Sequence, residues 1–451
     1  MSTPRPRGRT GRLTAFGGLD SPDPTPTRAS APLVVRTVPV DDPGPLLRLL
    51  PAHEDPCHVL SWVRRGEGLV GWGVAAQVTA HGPQRFEQAD AWWRRTGSHA
   101  VVRDEVRVPG TGLVCFGSLP FADDSAEPAR FVVPRVVVGH RGNRWWVTTV
   151  GAAEIATATP HAEPPPEPPA DVSFADGALS AAEWETRVAA AVGRITAGEL
   201  DKVVLARDLL VQARGPVDPR WVLQALAQRY DSTWVFAVHG MLGATPELLV
   251  RRERGLVTSR VLAGTIRRSG DDAKDLALAG SLARSSKDLE EHEYAVRSVA
   301  DALAPHCSSM NVPESPFVLH LANVMHLATD VTGVAVNGAS SLALAAALHP
   351  SAAVGGTPTA AAVALIAELE GMDRGRYAGP VGWLDASGDG EWGIALRSGC
   401  YLPAGASGGR LDATALRIFA GCGIVAGSDP EAEVAEADAK FVPMRDALSG
   451  R

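Results

Sequence analysis

Between Leu33 and about Ile155 the apolar residues come in short runs broken by turns, and a chain written this way is committed to strands. The stretches Gly112-Leu-Val-Cys-Phe-Gly-Ser-Leu-Pro-Phe121 and Arg130-Phe-Val-Val-Pro-Arg-Val-Val-Val138 show the pattern. It ends in Thr159-Pro-His-Ala-Glu-Pro-Pro-Pro-Glu-Pro-Pro169. Proline lacks an N–H and has a fixed φ, so this segment cannot join a ladder and favours an extended polyproline course. A linker or long exposed crossing is expected over 158–171, after a strand-rich half over 32–157. Residues 1–31 are rich in Pro, Arg, Ser, Thr and Gly, with almost no apolar periodicity, and are expected to be a disordered tail.

Helical signals enter the half that follows, over 172–447. Ser180 and Glu183 form a capping-box pattern ahead of Trp184, Val188, Val192 and Ile195, which share one face, and Gly198 stops the helix. Strands are expected at Lys202–Ala206 and Glu247–Val250, and helices at Leu282–Leu303 and Ala360–Leu369. Apolar residues make up 45% of the 451 and charged residues 21%, enough for a real core. A net charge of −8, with no basic stripe beyond the Arg-rich start, argues against nucleic acid and anionic membrane as partners. No apolar run is long enough to span a membrane and no h-region follows the first arginines, so a cytoplasmic location is expected. Cys57, Cys115, Cys307, Cys400 and Cys422 form no C-x-x-C pair, which points to neither disulfides nor zinc.

The chemistry gathers in two acidic helices. Ser286-Lys-Asp-Leu-Glu-Glu-His-Glu293 places Glu290, Glu291 and Glu293 within about one turn, and in Asp429–Asp438 the residues Glu433 and Glu436 are three apart and share a face. Brought together, such faces would make an oxygen-rich site of the kind magnesium prefers, with one or two carboxylates and the rest from water and an anionic substrate. Acidic residues also collect at solvated helix N-termini, where the dipole favours them, and spacing alone leaves that reading open.

The segments become specific as an ordered set. Lys202-Val-Val-Leu-Ala-Arg, Ala244-Thr-Pro-Glu-Leu-Leu, Leu262-Ala-Gly-Thr-Ile-Arg-Arg and Lys287-Asp-Leu-Glu-Glu-His-Glu are followed by Val324-Met-His-Leu-Ala-Thr and Leu348-His-Pro-Ser-Ala-Ala-Val-Gly-Gly-Thr-Pro. Gly382-Trp-Leu-Asp, Leu396-Arg-Ser and Phe419-Ala-Gly-Cys-Gly-Ile-Val complete the series. Over roughly 180–445 this resembles the chorismate-utilising enzymes, which include isochorismate synthase, salicylate synthase and the large subunits of anthranilate and aminodeoxychorismate synthases. The resemblance implies an α+β sandwich: two packed antiparallel sheets with helices outside and the active site between them. It also implies a single catalytic unit over 32–451, expected to be a monomer.

The resemblance assigns roles to residues. Lys202 matches the family's general base and Glu247 its general acid, with His326 near the ring. Gly264 and Thr265 would line the substrate, Arg397 would grip a carboxylate, and Gly421 N–H and Lys440 would assist it. Glu291 and Glu436 would hold Mg2+, with Glu433 acting through water. Relatives that use ammonia carry glutamine at the position of Lys202 and need a glutaminase partner, which is therefore not expected here. Aminodeoxychorismate synthases often place a lysine at the position of Ala263. Salicylate synthases tend to have threonine at the position of Val354, where isochorismate synthases are apolar. The expected activity is isochorismate synthesis from chorismate, with salicylate synthesis or non-catalytic chorismate binding as alternatives.

Overall fold

A computed structural model describes residue 1 and residues 32–52, 55–152, 156–320, 324–405 and 410–450, without the side chains of Thr265, Lys287 and Glu291. The expected tail therefore lies almost wholly outside the described residues. Among them, thirteen strands form one sheet and ten form a second. The first sheet runs Ser173–Asp176, Lys202–Gln212, Leu411–Ile424, Ser398–Pro403, Met241–Thr245, Trp234–Val238, Val59–Arg64 and Glu67–Trp72, then continues through N-terminal strands. The second runs Cys307–Asn311, Val324–Ala335, Leu256–Arg267, Leu248–Glu253, Gly390–Ile394, Pro380–Asp385 and Val114–Ser118, then two more N-terminal strands.

Both sheets cross the proline-rich segment. Val59–Arg64 pairs with Trp234–Val238 in one, and Val114–Ser118 with Pro380–Asp385 in the other. The sheets pack face to face through a core in which Trp62 and Phe236 of the first meet Phe116, Leu248 and Trp383 of the second. A polar tie crosses this interface: the indoles of Trp62 and Trp234 both donate to Glu391 Oε2, at 2.8 and 3.1 Å. The pairing is antiparallel throughout the described ladders except at one edge, where Val34–Val40 and Val101–Asp104 run parallel. The proline-rich segment runs as an irregular crossing, tied by Glu163 N–H to the Arg48 carbonyl and by the Arg48 guanidinium to the Glu163 carbonyl.

Local chemistry sets the helix boundaries that matter for the site. Ser180 and Glu183 cap the helix Ala181–Thr196 reciprocally, and the helix buries Trp184, Val188, Ala191 and Ile195. Val192, expected on that face, is only half-buried. The helix expected over Leu282–Leu303 begins at Ser286 and ends at Leu303, and a separate helix, Asp272–Leu282, precedes it. The break falls at Ser285, whose hydroxyl accepts the Asp288 N–H and starts the second helix there. Asp429 caps the other acidic helix, Pro430–Ser449, by accepting the Glu431 N–H. No helix among the described residues is long and apolar enough to cross a membrane.

Candidate active site

The motif-bearing segments meet at one end of the sandwich around a cavity of about 330 Å3. The strand Lys202–Gln212 contributes one wall. Strand side chains alternate, so Lys202, Val204 and Ala206 fall on one face, and all three line the cavity. Its neighbour Leu411–Ile424 leaves room for them with glycines. A Cβ on Gly423 would lie 3.0 Å from Lys202 Cε, and one on Gly421 would meet the Leu205 carbonyl at 2.4 Å.

Glu247 sits where the chain leaves the first sheet at Thr245 and enters the second at Leu248. Its N–H donates to Thr245 Oγ1 (3.2 Å), and its carbonyl accepts the Ile394 N–H (3.1 Å), so both sheets fix the position. Burial pushes its carboxyl up to about 7 against the opposing pull of Lys202 and Lys440. A carboxyl held there is half protonated near neutral pH and can donate a proton.

The second sheet supplies His326 and Gly264. Gly264 is the extra residue of a bulge between Ala263 and Thr265 opposite the Val324–Ala335 strand, with φ +74°. A side chain there would be strained and would also press on Asp288 Cβ at 3.2 Å. Burial, with Arg397 and Lys440 nearby, lowers the His326 imidazole to about 4, while a hydrogen bond to the Gly264 backbone opposes the shift. The ring is therefore neutral at physiological pH. Of Thr265 only the backbone is described, paired with His326.

Arg397 lies between Gly390–Ile394 and Ser398–Pro403 with φ +47°, a left-handed conformation unusual for arginine. Its carbonyl accepts the Ala244 N–H at 3.2 Å, which helps hold that backbone. Burial lowers the guanidinium's pKa, partly countered by Tyr230. Among the described residues no carboxylate forms an ion pair with it. Half-buried cations of this kind are stabilised by an anion from outside the chain.

Lys440 Nζ donates to the Gly421 carbonyl (2.9 Å) and pairs with Glu436 Oε1 (2.8 Å), both on the cavity wall. Glu433, one turn earlier, is not part of the lining; its carbonyl accepts a weak hydrogen bond from Cys422 Sγ. The Glu291 side chain lies outside the described residues, and among those described no three His, Cys, Asp or Glu side chains cluster as a metal site. Glu436 and Asp288 nevertheless give the cavity two carboxylates from two helices, a donor set of the size magnesium takes from protein.

The structure thus brings Lys202, Glu247, Gly264, His326, Val354, Arg397, Gly421, Glu436 and Lys440 to one cavity. It adds Asp288, Arg374 and Tyr377, which the sequence reading did not single out. Tyr377 stacks on Phe419 with ring centroids 4.9 Å apart. Asp288 stands inside the motif Lys287–Glu293 and was masked by the glutamates beside it. A larger cavity of about 400 Å3 lies elsewhere, beside Arg252, Asp385 and Asp389. Its three carboxylates are already taken: Asp389 by Arg252 and the Arg254 N–H, Asp385 by Ser387, and Asp104 by the Thr111 hydroxyl and the Val106 and Arg107 N–H groups. None of the residues given a catalytic, substrate or metal role from the sequence lines it.

Residues 27–449 match the family model of chorismate binding enzymes. The salicylate biosynthesis isochorismate synthase of Pseudomonas aeruginosa is 33% identical over 443 residues, covering 90% of this chain and 88% of that protein. Isochorismate synthase MenF of Bacillus subtilis is 32% identical over 413 residues, covering 85% of each. The solved structure of MenF, the menaquinone-specific isochorismate synthase of Escherichia coli, superposes with a TM-score of 0.77 at 25% identity, over 93% of this chain and 95% of that one.

Proposed function

The chain belongs to the chorismate-binding enzymes, and from that premise we propose that it is an isochorismate synthase that adds water to the ring of chorismate and expels the ring hydroxyl. Water must lose a proton as it attacks, and the departing hydroxyl must gain one. Lys202 takes the first proton and Glu247 gives the second. Because one water enters and one leaves, the reaction is an isomerisation and runs in both directions. The observation that carries this reading is the placement of Glu247, half-buried at the crossover between the sheets, with its carboxyl near 7 and in the same cavity as Lys202.

Arg397 lacks a carboxylate partner among the described residues and would hold one substrate carboxylate in its guanidinium fork. Glu436 and Glu291 would hold magnesium, with Glu433 acting through water. When bound, the ion neutralises the other carboxylate and fixes the ring. His326, neutral at working pH, orients the ring by hydrogen bonding. Gly264 and Thr265 bring the bulged backbone against the substrate. Val354 is 2% exposed and apolar, and it offers no hydrogen bond for a later loss of pyruvate, which favours release of isochorismate over salicylate. No glutaminase subunit is required.

The test is purified protein with chorismate and magnesium, the products being separated by chromatography. Isochorismate should form reversibly, without ammonia or a second subunit, and only with a divalent metal. Anthranilate as main product with ammonium salts, or salicylate with stoichiometric pyruvate, would overturn the assignment. Full activity in excess chelator would remove the metal from it.

A further inference from the structure

Among the described residues, the edge of the Lys202–Gln212 strand that faces away from Leu411–Ile424 has strand neighbours only at its two ends. Gly356–Thr357 pairs with Lys202 and Val203, and Ser173–Asp176 pairs with residues 209–212. Between them, the peptide groups of Val204 and Ala206 are satisfied by other means. Val204 N–H donates to the Gly355 carbonyl (2.9 Å), and the Val204 carbonyl accepts from Arg374 Nη2 (2.6 Å). Ala206 N–H donates to Glu370 Oε1 (2.7 Å), and the Ala206 carbonyl accepts from the Trp184 indole (3.0 Å). A carboxylate and a guanidinium thus stand in for the acceptor and donor of an absent strand.

The same guanidinium reaches across the cavity wall. Arg374 Nη1 donates to the Val354 carbonyl (2.9 Å), while Nε and Nη2 both bond Glu370. Its outer face lies over the Phe121 ring, 4.3 Å from the centroid. Side-chain exposure is 3% for Arg374 and 1% for Glu370. With four of its five N–H donors committed to protein, Arg374 has no two-pronged fork left to grip a substrate carboxylate, although it lines the cavity. It joins the strand that carries Lys202 to the loop that carries Val354.

We propose that Glu370 and Arg374 are a positioning couple that fixes the separation between the Lys202 strand and the Val354 loop, and so the placement of the base against the substrate ring. This rests on the isochorismate-synthase reading for its kinetic consequence, but not for its geometric one. Arg374→Lys keeps the charge and loses the planar fork, so one nitrogen can no longer serve Val204, Val354 and Glu370 together. Glu370→Gln keeps an acceptor for the Ala206 N–H and loosens only the hold on Arg374.

The experiment measures steady-state kinetics on chorismate with magnesium, and backbone hydrogen exchange without substrate, on both folded variants and the wild type. Arg374→Lys should lower kcat by about 100-fold, as misplacement of a reacting group by an ångström does, with KM within about threefold. Glu370→Gln should shift kcat in the same direction by about tenfold. Exchange should speed up in residues 203–207 and 351–356 and stay unchanged elsewhere. Wild-type kcat in either folded variant, a change confined to KM, or exchange raised throughout the chain would overturn the proposal. If neither variant folded, the couple would be a core element rather than a positioning one, and the proposal would fall. A wild type inactive on chorismate would refute the functional reading instead, and hydrogen exchange would still decide the couple.

Discussion

Replacing Glu247 by glutamine should stabilise the fold while disabling the enzyme, and the stabilisation should depend on pH. Burial raises this carboxyl from 4.5 to about 7 in the folded chain. A raised carboxyl favours its protonated form, so the stability it contributes is complete below about 4.5 and is lost as pH rises to 7 and beyond. At 1.36 kcal/mol per unit, the shift amounts to about 3 kcal/mol against the ionised form above pH 7. Glutamine carries no charge at any pH and escapes that penalty. The variant should therefore melt a few degrees above wild type at pH 8 and level with it near pH 4.5. Turnover should fall by about 10²–10⁴-fold, the range for loss of a general acid. Wild-type kcat/KM should decline above pH about 7 as Glu247 ionises. Melting curves at the two pH values and a pH–rate profile check each part. An equal melting difference at both pH values, or a glutamine variant less stable at pH 8, would refute the reasoning.

Lys202→Ala should abolish turnover yet leave magnesium binding at wild-type strength, whereas Glu436→Gln or Glu291→Gln should raise the magnesium concentration needed for half-maximal activity; titrating metal by calorimetry and by rate separates the two. Gly423→Ala should lower kcat by about tenfold, because the new Cβ would lie 3.0 Å from Lys202 Cε and displace the base, while circular dichroism stays native. Val354→Thr nearly conserves volume and adds a hydroxyl in contact with the cavity; salicylate, read by its fluorescence, should be nearly absent from the wild type and detectable from the variant.

What the sequence made legible was local chemistry. The Ser180–Glu183 box and the two acidic helices are decided by neighbours within four residues, and each stands where its pattern placed it. The two sheets followed from alternation and from the family resemblance. The helix expected from Leu282 starts four residues later because one serine hydroxyl, that of Ser285, accepts the Asp288 N–H, a choice that the apolar pattern does not mark. The parallel edge pair was also hidden, since pairing direction between strands about 60 residues apart leaves no mark on either strand alone. Glu370 and Arg374 look in sequence like an ordinary i,i+4 surface pair. Only the missing stretch of strand beside Val204 and Ala206 gives them their partners, and their nearest signal is a Glu at the end of a strongly apolar helix with an Arg four residues on.

The charge of the assembled cavity bears on the metal. Among its described lining, Arg374 is neutralised by Glu370, and Glu247 is largely protonated below pH 7. With Lys202 still protonated, before it can act as base, Lys202, Arg397 and Lys440 then face Asp288 and Glu436, a single net positive charge. Chorismate carries two carboxylates, so the described side chains alone leave an excess of negative charge once the substrate enters. The Glu291 carboxylate, if it reaches the site, would deepen that excess. A divalent cation between Glu436 and a substrate carboxylate would reverse it, and would free Lys440 from its 2.8 Å pairing with Glu436 to assist Arg397. On this reading magnesium and substrate bind with positive cooperativity, each relieving repulsion the other would meet. The apparent Kd for chorismate should fall as magnesium is raised, and by linkage the Kd for magnesium should fall by the same factor as chorismate is raised. Exchange-inert cobalt(III) hexammine, which carries one more positive charge than magnesium but cannot accept a carboxylate ligand, should reproduce little of the effect. If it reproduced all of it, bulk electrostatics and not coordination by Glu436 would be responsible.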